Sequence, residues 1–185
     1  MALLLPDEHP PRLWGALLAI LAVFGLAALG CATQHAGPQL ADEGAAFVAR
    51  DLRREGLRFG TDGSTRALWG YLRSSHQVVP AAGARPGDVL FFDTRSGSAA
   101  PSCDEGAGHA GIVEAVSRDG RITFAEARGG RVRRSFADPA RPTLRRDGRG
   151  DVANSFLRAK RMDDPANARY FAGEMLCGVA RPRLR

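Results

Sequence analysis

The spacing of apolar positions along the chain changes several times, and each change marks an element. The 17-residue run 'LWGALLAILAVFGLAAL', Leu13 to Leu29, is strongly apolar, and no Asp, Glu, Lys or Arg occurs from Leu13 to Ala41. A polar tether, 'ATQHAGPQL', follows. Ala45, Phe47, Val48 and Leu52 then recur with a helical period, predicting a helix from about Asp42 to Glu55 that Gly56 ends. 'GTDGS' is turn chemistry, and Ser64 or Asp62 can cap a second helix reaching about Ser74. Ala67, Leu68, Tyr71 and Leu72 give that helix its apolar stripe.

Beyond this point the runs are shorter. In 'ARPGDVLFFD', Pro86-Gly87 fits the centre of a type II turn and 'VLFFD' reads as a buried strand. Residues 94–108 read as a loop. 'GHAGIVEAVSRDGRITFAEARGG' reads as a hairpin turning at Asp119-Gly120, and 'RGGRVRRSF' as a third strand. 'ADPARPTLRRDGRGD' is loop broken by Pro and Gly, and 'VANSFLRAK' reads as a last strand. Asp164 and Pro165 open a predicted closing helix. Its face is Ala168, Phe171, Ala172, Met175, Leu176 and Val179. Helices segregated from an antiparallel meander predict an α+β fold.

Turn length in the hairpin decides which side chains meet. A two- or four-residue loop puts His109, Gly111 and Val113 on one sheet face with Phe124 and Glu126. A three-residue loop turns Glu126 to the opposite face. In the even registers His109 and Glu126 are near neighbours. A carboxylate beside an imidazole fixes its tautomer and favours the imidazolium, as in a nucleophilic enzyme. The plainer reading is an ordinary His and Glu on adjacent strands.

Composition adds a destination. Arg12, the apolar run and 'LGCAT' have the layout of a secretory signal, although the run is also long enough for an uncleaved anchor. 'AALGC' resembles a bacterial lipobox, which makes Cys31 a lipidation candidate and leaves lipoprotein, anchor and cleaved signal open. The domains expected are a signal or anchor over 1–30, a tether over 31–40 and a globular domain over 41–185. An exported location at the cell envelope, on the periplasmic side of a membrane, follows. In an oxidising compartment the remaining pair, Cys103 and Cys177, suggests a disulfide. Net charge is +6, carried by 25 Arg and one Lys. The arginines are scattered and no nucleic-acid motif accompanies them, so no nucleic-acid partner is expected. 'VRRSF' and 'LRRDGRG' read as solvated arginine faces or contacts to an anionic surface. 'CDEGAGH' matches no standard zinc spacing, so no metal and no cofactor is expected.

The succession 'RPGDVLFFD', 'GHAGIVEAV', 'DGRITFAEARGG' resembles the CHAP and NlpC/P60 families of papain-like cell-wall hydrolases. It covers about Arg85 to Gly130 well and extends weakly back to about Phe47. The resemblance implies a helix-capping Cys nucleophile, a His base and a polar orienter that cleave amide bonds in peptidoglycan. His109 matches the base and Glu126 the orienter, the latter more in the manner of CHAP. The nucleophile should open the second helix, commonly as Asp-Cys-Ser. There the chain reads 'TDGSTRALWGYL', which puts Gly63 at the Cys position. Ser64, Thr65 and Cys103 are the substitutes to weigh. A hydroxyl one or two residues along a helix points elsewhere, and Cys103 has a structural role open to it. The expectation is a membrane-tethered homologue of impaired catalysis that binds peptidoglycan, a cell-wall peptide or a partner protein. The alternatives are an active amidase or endopeptidase with a non-standard nucleophile, and a basic surface protein without a cleft.

Overall fold

The computed structural model describes residues 40–56, 63–95 and 100–183. The apolar run, the tether and Cys31 lie outside the described residues. Among the described residues no helix is long and apolar enough to cross a membrane.

Two helices come first, α1 (Leu40–Arg54) and α2 (Thr65–Ser74). Ser64 caps α2, its Oγ accepting from the Ala67 amide at 3.1 Å. The strands follow: β1 (Val78–Val79), β2 (Val89–Asp93), β3 (Ala107–Val116), β4 (Ile122–Arg128) and β5 (Arg131–Ala137). A single helical turn, α3 (Cys103–Gly106), lies in the predicted loop ahead of β3. Near the C-terminus another single turn, α4 (Ala172–Met175), runs into β6 (Leu176–Ala180). The strands form one antiparallel sheet in the order β1-β6-β2-β3-β4-β5. The α+β, papain-like fold is the one the sequence predicts.

Strand β2 is buried along its whole length and divides the core. Val89 and Phe91 pack with Val48, Leu52, Leu68, Trp69 and Leu72 from the two helices. Leu90 and Phe92 pack with Val113, Ile122, Phe124, Leu157, Ala172 and Met175. Burial on both faces explains a strand that is apolar at four successive positions rather than alternating. At its end Asp93 is fully buried and accepts from the Arg95 guanidinium and the Ser102 amide. These bonds bring the chain on either side of 96–99 together.

Two predicted elements differ in extent. The closing helix is only the turn Ala172–Met175; Asp164 to Tyr170 are turns and irregular chain, Phe171 makes an isolated bridge, and the end of the expected span becomes β6. 'MLCGVA' satisfies a period of two as well as one near 3.6, so periodicity alone does not choose. The sheet chooses strand: β6 inserts between β1 and β2, pairing Leu90 with Val179. A β-carbon on Gly178 would lie 2.6 Å from the Trp69 ring, so only glycine allows that helix–strand approach. 'VANSFLRAK' forms no strand and makes only isolated bridges at Val152 and Phe156. Its Ala153, Asn154 and Leu157 are buried instead. The short strand β1 adds an edge that the sequence pattern does not predict.

Candidate functional site

The hairpin β3–β4 is built in a way that neither even-loop register describes. Ser117 N–H donates to Arg121 O at 2.9 Å, leaving a three-residue loop, Arg118 to Gly120. Gly120 takes φ +85°, a conformation that suits glycine at this turn. Alone, that loop would turn Glu126 away from His109. A bulge at Glu114 takes up one residue, because Val113 pairs with Phe124 while Ala115 pairs with Thr123. The result is Gly111 opposite Glu126, as in the four-residue-loop register.

This register brings His109 and Glu126 together. Nε2–H of His109 donates to Oε2 of Glu126 at 2.5 Å. The imidazole is 4 % exposed and the carboxylate not at all. The other carboxylate oxygen accepts from Ser135 Oγ at 2.6 Å and lies 3.3 Å from Nη2 of Arg128. Glu126 faces a glycine, so no cross-strand side chain blocks its diagonal reach. A β-carbon on Gly111 would meet the Phe124 ring at 2.6 Å. Burial by itself pushes the Glu126 carboxyl up. The hydrogen bond and charge interaction with His109, the Ser135 hydroxyl and the Arg128 charge outweigh it. The carboxyl therefore lies below the ordinary carboxylate value and stays ionised.

With Nε2 committed to Glu126, the opposite ring nitrogen is the one that would serve as a base. That nitrogen faces the start of α1. A β-carbon built on Gly44 would lie 2.7 Å from Nδ1, 2.9 Å from Cε1 and 2.8 Å from Ala110 O. Position 44 is therefore the helical position set against that nitrogen, and it carries no side chain.

Gly63 is not beside the imidazole. A β-carbon there would have no atom within 4 Å, and φ is +65°. The reason is packing: it is the beginning of α1, not the residue ahead of α2, that comes over β3. Of the substitutes, Ser64 spends its oxygen on capping α2, and Thr65 is buried as the first residue of that helix. Cys103 forms a disulfide with Cys177 (S–S 2.08 Å). Among the described residues no Ser, Thr or Cys side chain hydrogen-bonds the imidazole. No group of three metal-ligating side chains is found among them.

Gly44 was legible only indirectly. 'DEGAAF' puts three small residues at the start of a helix, which permits close approach to a strand, but glycine carries no chemistry for a motif to find. Replacing Gly44 with alanine is expected to lower stability in urea unfolding by up to about 2 kcal/mol. Overpacking against His109 costs about 1–3 kcal/mol, against about 1 kcal/mol of helix propensity gained. A stabilised variant would show that α1 has room to move away from the ring.

The site is thus a buried His–Glu pair on antiparallel strands, with the first helix packed against the opposite ring nitrogen. A family model for the CHAP domain matches residues 32–128, a little over half of the chain. The chain belongs to the CHAP-domain family and has the hydrolase-like fold of that family. Neither a curated protein nor a solved structure matches it.

Proposed function

We propose that this chain is an exported, membrane-tethered CHAP homologue of impaired catalysis that binds peptidoglycan or a partner protein. The observation that carries the reading is Gly44 against Nδ1 of His109. On this reading His109 is the base and Glu126 its orienter; the two are hydrogen-bonded, and the helical position facing the ring has nothing to deprotonate. No thiol is present at that position. The Cys103–Cys177 disulfide supports export, since such bonds persist in oxidising compartments. The apolar run before Cys31 supports a tether. Peptidoglycan as the ligand rests on family membership.

The full-length protein in a non-ionic detergent is to be incubated with purified sacculi, beside His109→Ala. The expected result is co-sedimentation with the sacculi and no release of soluble fragments by either form. Fragment release that His109→Ala abolishes would establish an active enzyme and overturn the reading. Failure of both forms to sediment would remove peptidoglycan as the ligand and leave the partner protein.

A further inference from the structure

Beside Glu126 the sheet edge and the following loops border an open recess of about 320 Å³. Five arginines line it: Arg128, Arg133, Arg134, Arg145 and Arg146. No carboxylate is among its lining residues. Arg134 is matched by Glu114 (Nε to Oε2, 2.5 Å), and Arg128 lies 3.3 Å from Glu126. The other three have no carboxylate partner among the described residues. Arg146 donates to the Gly150 carbonyl, and Arg145 stacks over the Phe156 ring at 5.2 Å. Arg133 stands exposed on the edge strand β5.

The positions come from separate parts of the chain and are held by a fixed scaffold. Asn154 is fully engaged: its amide donates to Arg141 O and Leu144 O, and its oxygen accepts from Asp138 and Gly173 amides. The Arg145 carbonyl accepts from Ala153 N–H at 3.0 Å. Ser155 ties the same segment to Phe136 of β5 through both its amide and its hydroxyl. Arg128 donates to Phe156 O at 2.6 Å. Like charges gathered around one recess repel, and a solvated arginine face needs no such framework. A framework that fixes the backbone under several arginines lets their guanidiniums converge on one oxyanion.

We propose that this recess is a binding site for a phosphate-bearing anion, a phosphate monoester or a diphosphate. The charge count selects phosphate over a single carboxylate. Three unmatched guanidiniums call for two or more negative charges. A phosphate monoester supplies about −1.5 to −2 near neutral pH, with three oxygens to share among several forks. The recess volume suits a headgroup-sized ligand. The site shares Arg128 and Ser135 with the Glu126 carboxylate, yet it does not depend on whether the His109 site is active.

Isothermal titration of the full-length protein in a non-ionic detergent, at fixed ionic strength, tests this with inorganic pyrophosphate. Saturable binding is expected, stronger than that of inorganic phosphate and of citrate. The exposed pair Arg133→Ala with Arg145→Ala should weaken it at least tenfold, while Arg50→Ala on α1 leaves it unchanged. Arg133→Lys keeps the charge and loses the fork, and should show an intermediate loss with unaltered folding by circular dichroism. Absence of saturable pyrophosphate binding, equal binding by the double variant, or tighter binding of citrate would each overturn the assignment.

Discussion

Glu126→Ala is expected to lower the unfolding free energy by about 3–5 kcal/mol, the cost of breaking a buried charged network on one side. Three groups lose their acceptor at once: Nε2–H of His109, the Ser135 hydroxyl and part of Arg128. The His109 N–H cannot turn to water without opening the sheet, because the ring and the carboxylate it meets are both buried. Glu126→Gln keeps the volume and one acceptor and should fall between. The same carboxyl gives the effect a pH dependence. Its folded value lies below the ordinary one, so its contribution is complete above the unfolded value. It is then lost as pH falls through the folded value. Urea unfolding at neutral pH and again in acid should therefore show the wild type approaching Glu126→Gln as pH falls. An alanine variant within about 1 kcal/mol of wild type would show that the network is not held as described.

Removing the Cys103–Cys177 bond is expected to cost about 4 kcal/mol. The two residues are 74 apart in sequence, and loop-closure entropy for a ring of that size gives about this figure. The bond joins the α3 turn to β6, and β6 lies between β1 and β2. Cys103 is 4 % exposed, so reductant should act slowly on the folded protein and quickly once it opens. Chemical unfolding with and without reductant, beside the double variant Cys103→Ser with Cys177→Ser, measures the difference. Two free thiols titrating in the native oxidised protein would sink this prediction outright.

How far the sequence speaks depends on whether a signal is local. 'VLFFD' is read to the residue because Pro-Gly turns the chain ahead of it and an unbroken apolar run needs burial on both faces. The hairpin is read correctly at its far end and not at its turn. Asp119-Gly120 announces a turn, but nothing in 'GIVEAV' announces that Glu114 is an extra residue. Strand β6 was hidden because 'FAGEMLCGVA' fits two periods, and only the vacancy between β1 and β2 decides between them. His109 and Glu126 are visible as residue types with a spacing. Gly44 is visible only as a distance, since what matters there is the side chain it lacks. The arginine recess belongs to the same class. 'VRRSF' and 'LRRDGRG' each look like solvent-facing charge, and the hub at Asn154 is what sets them around one space.

The bulge at Glu114 makes the far end of the hairpin tolerant of length changes near it. Deleting that one residue would leave Val113 against Phe124 and Gly111 against Glu126, with a regular ladder running to the same turn. The catalytic-looking pair would survive as geometry. Yet the deletion would also take away the one carboxylate that pairs with Arg134 among the described residues, freeing a guanidinium on the edge strand that carries Arg133. A change silent for one site would retune its neighbour, so the slack in this strand is mechanical but not electrostatic.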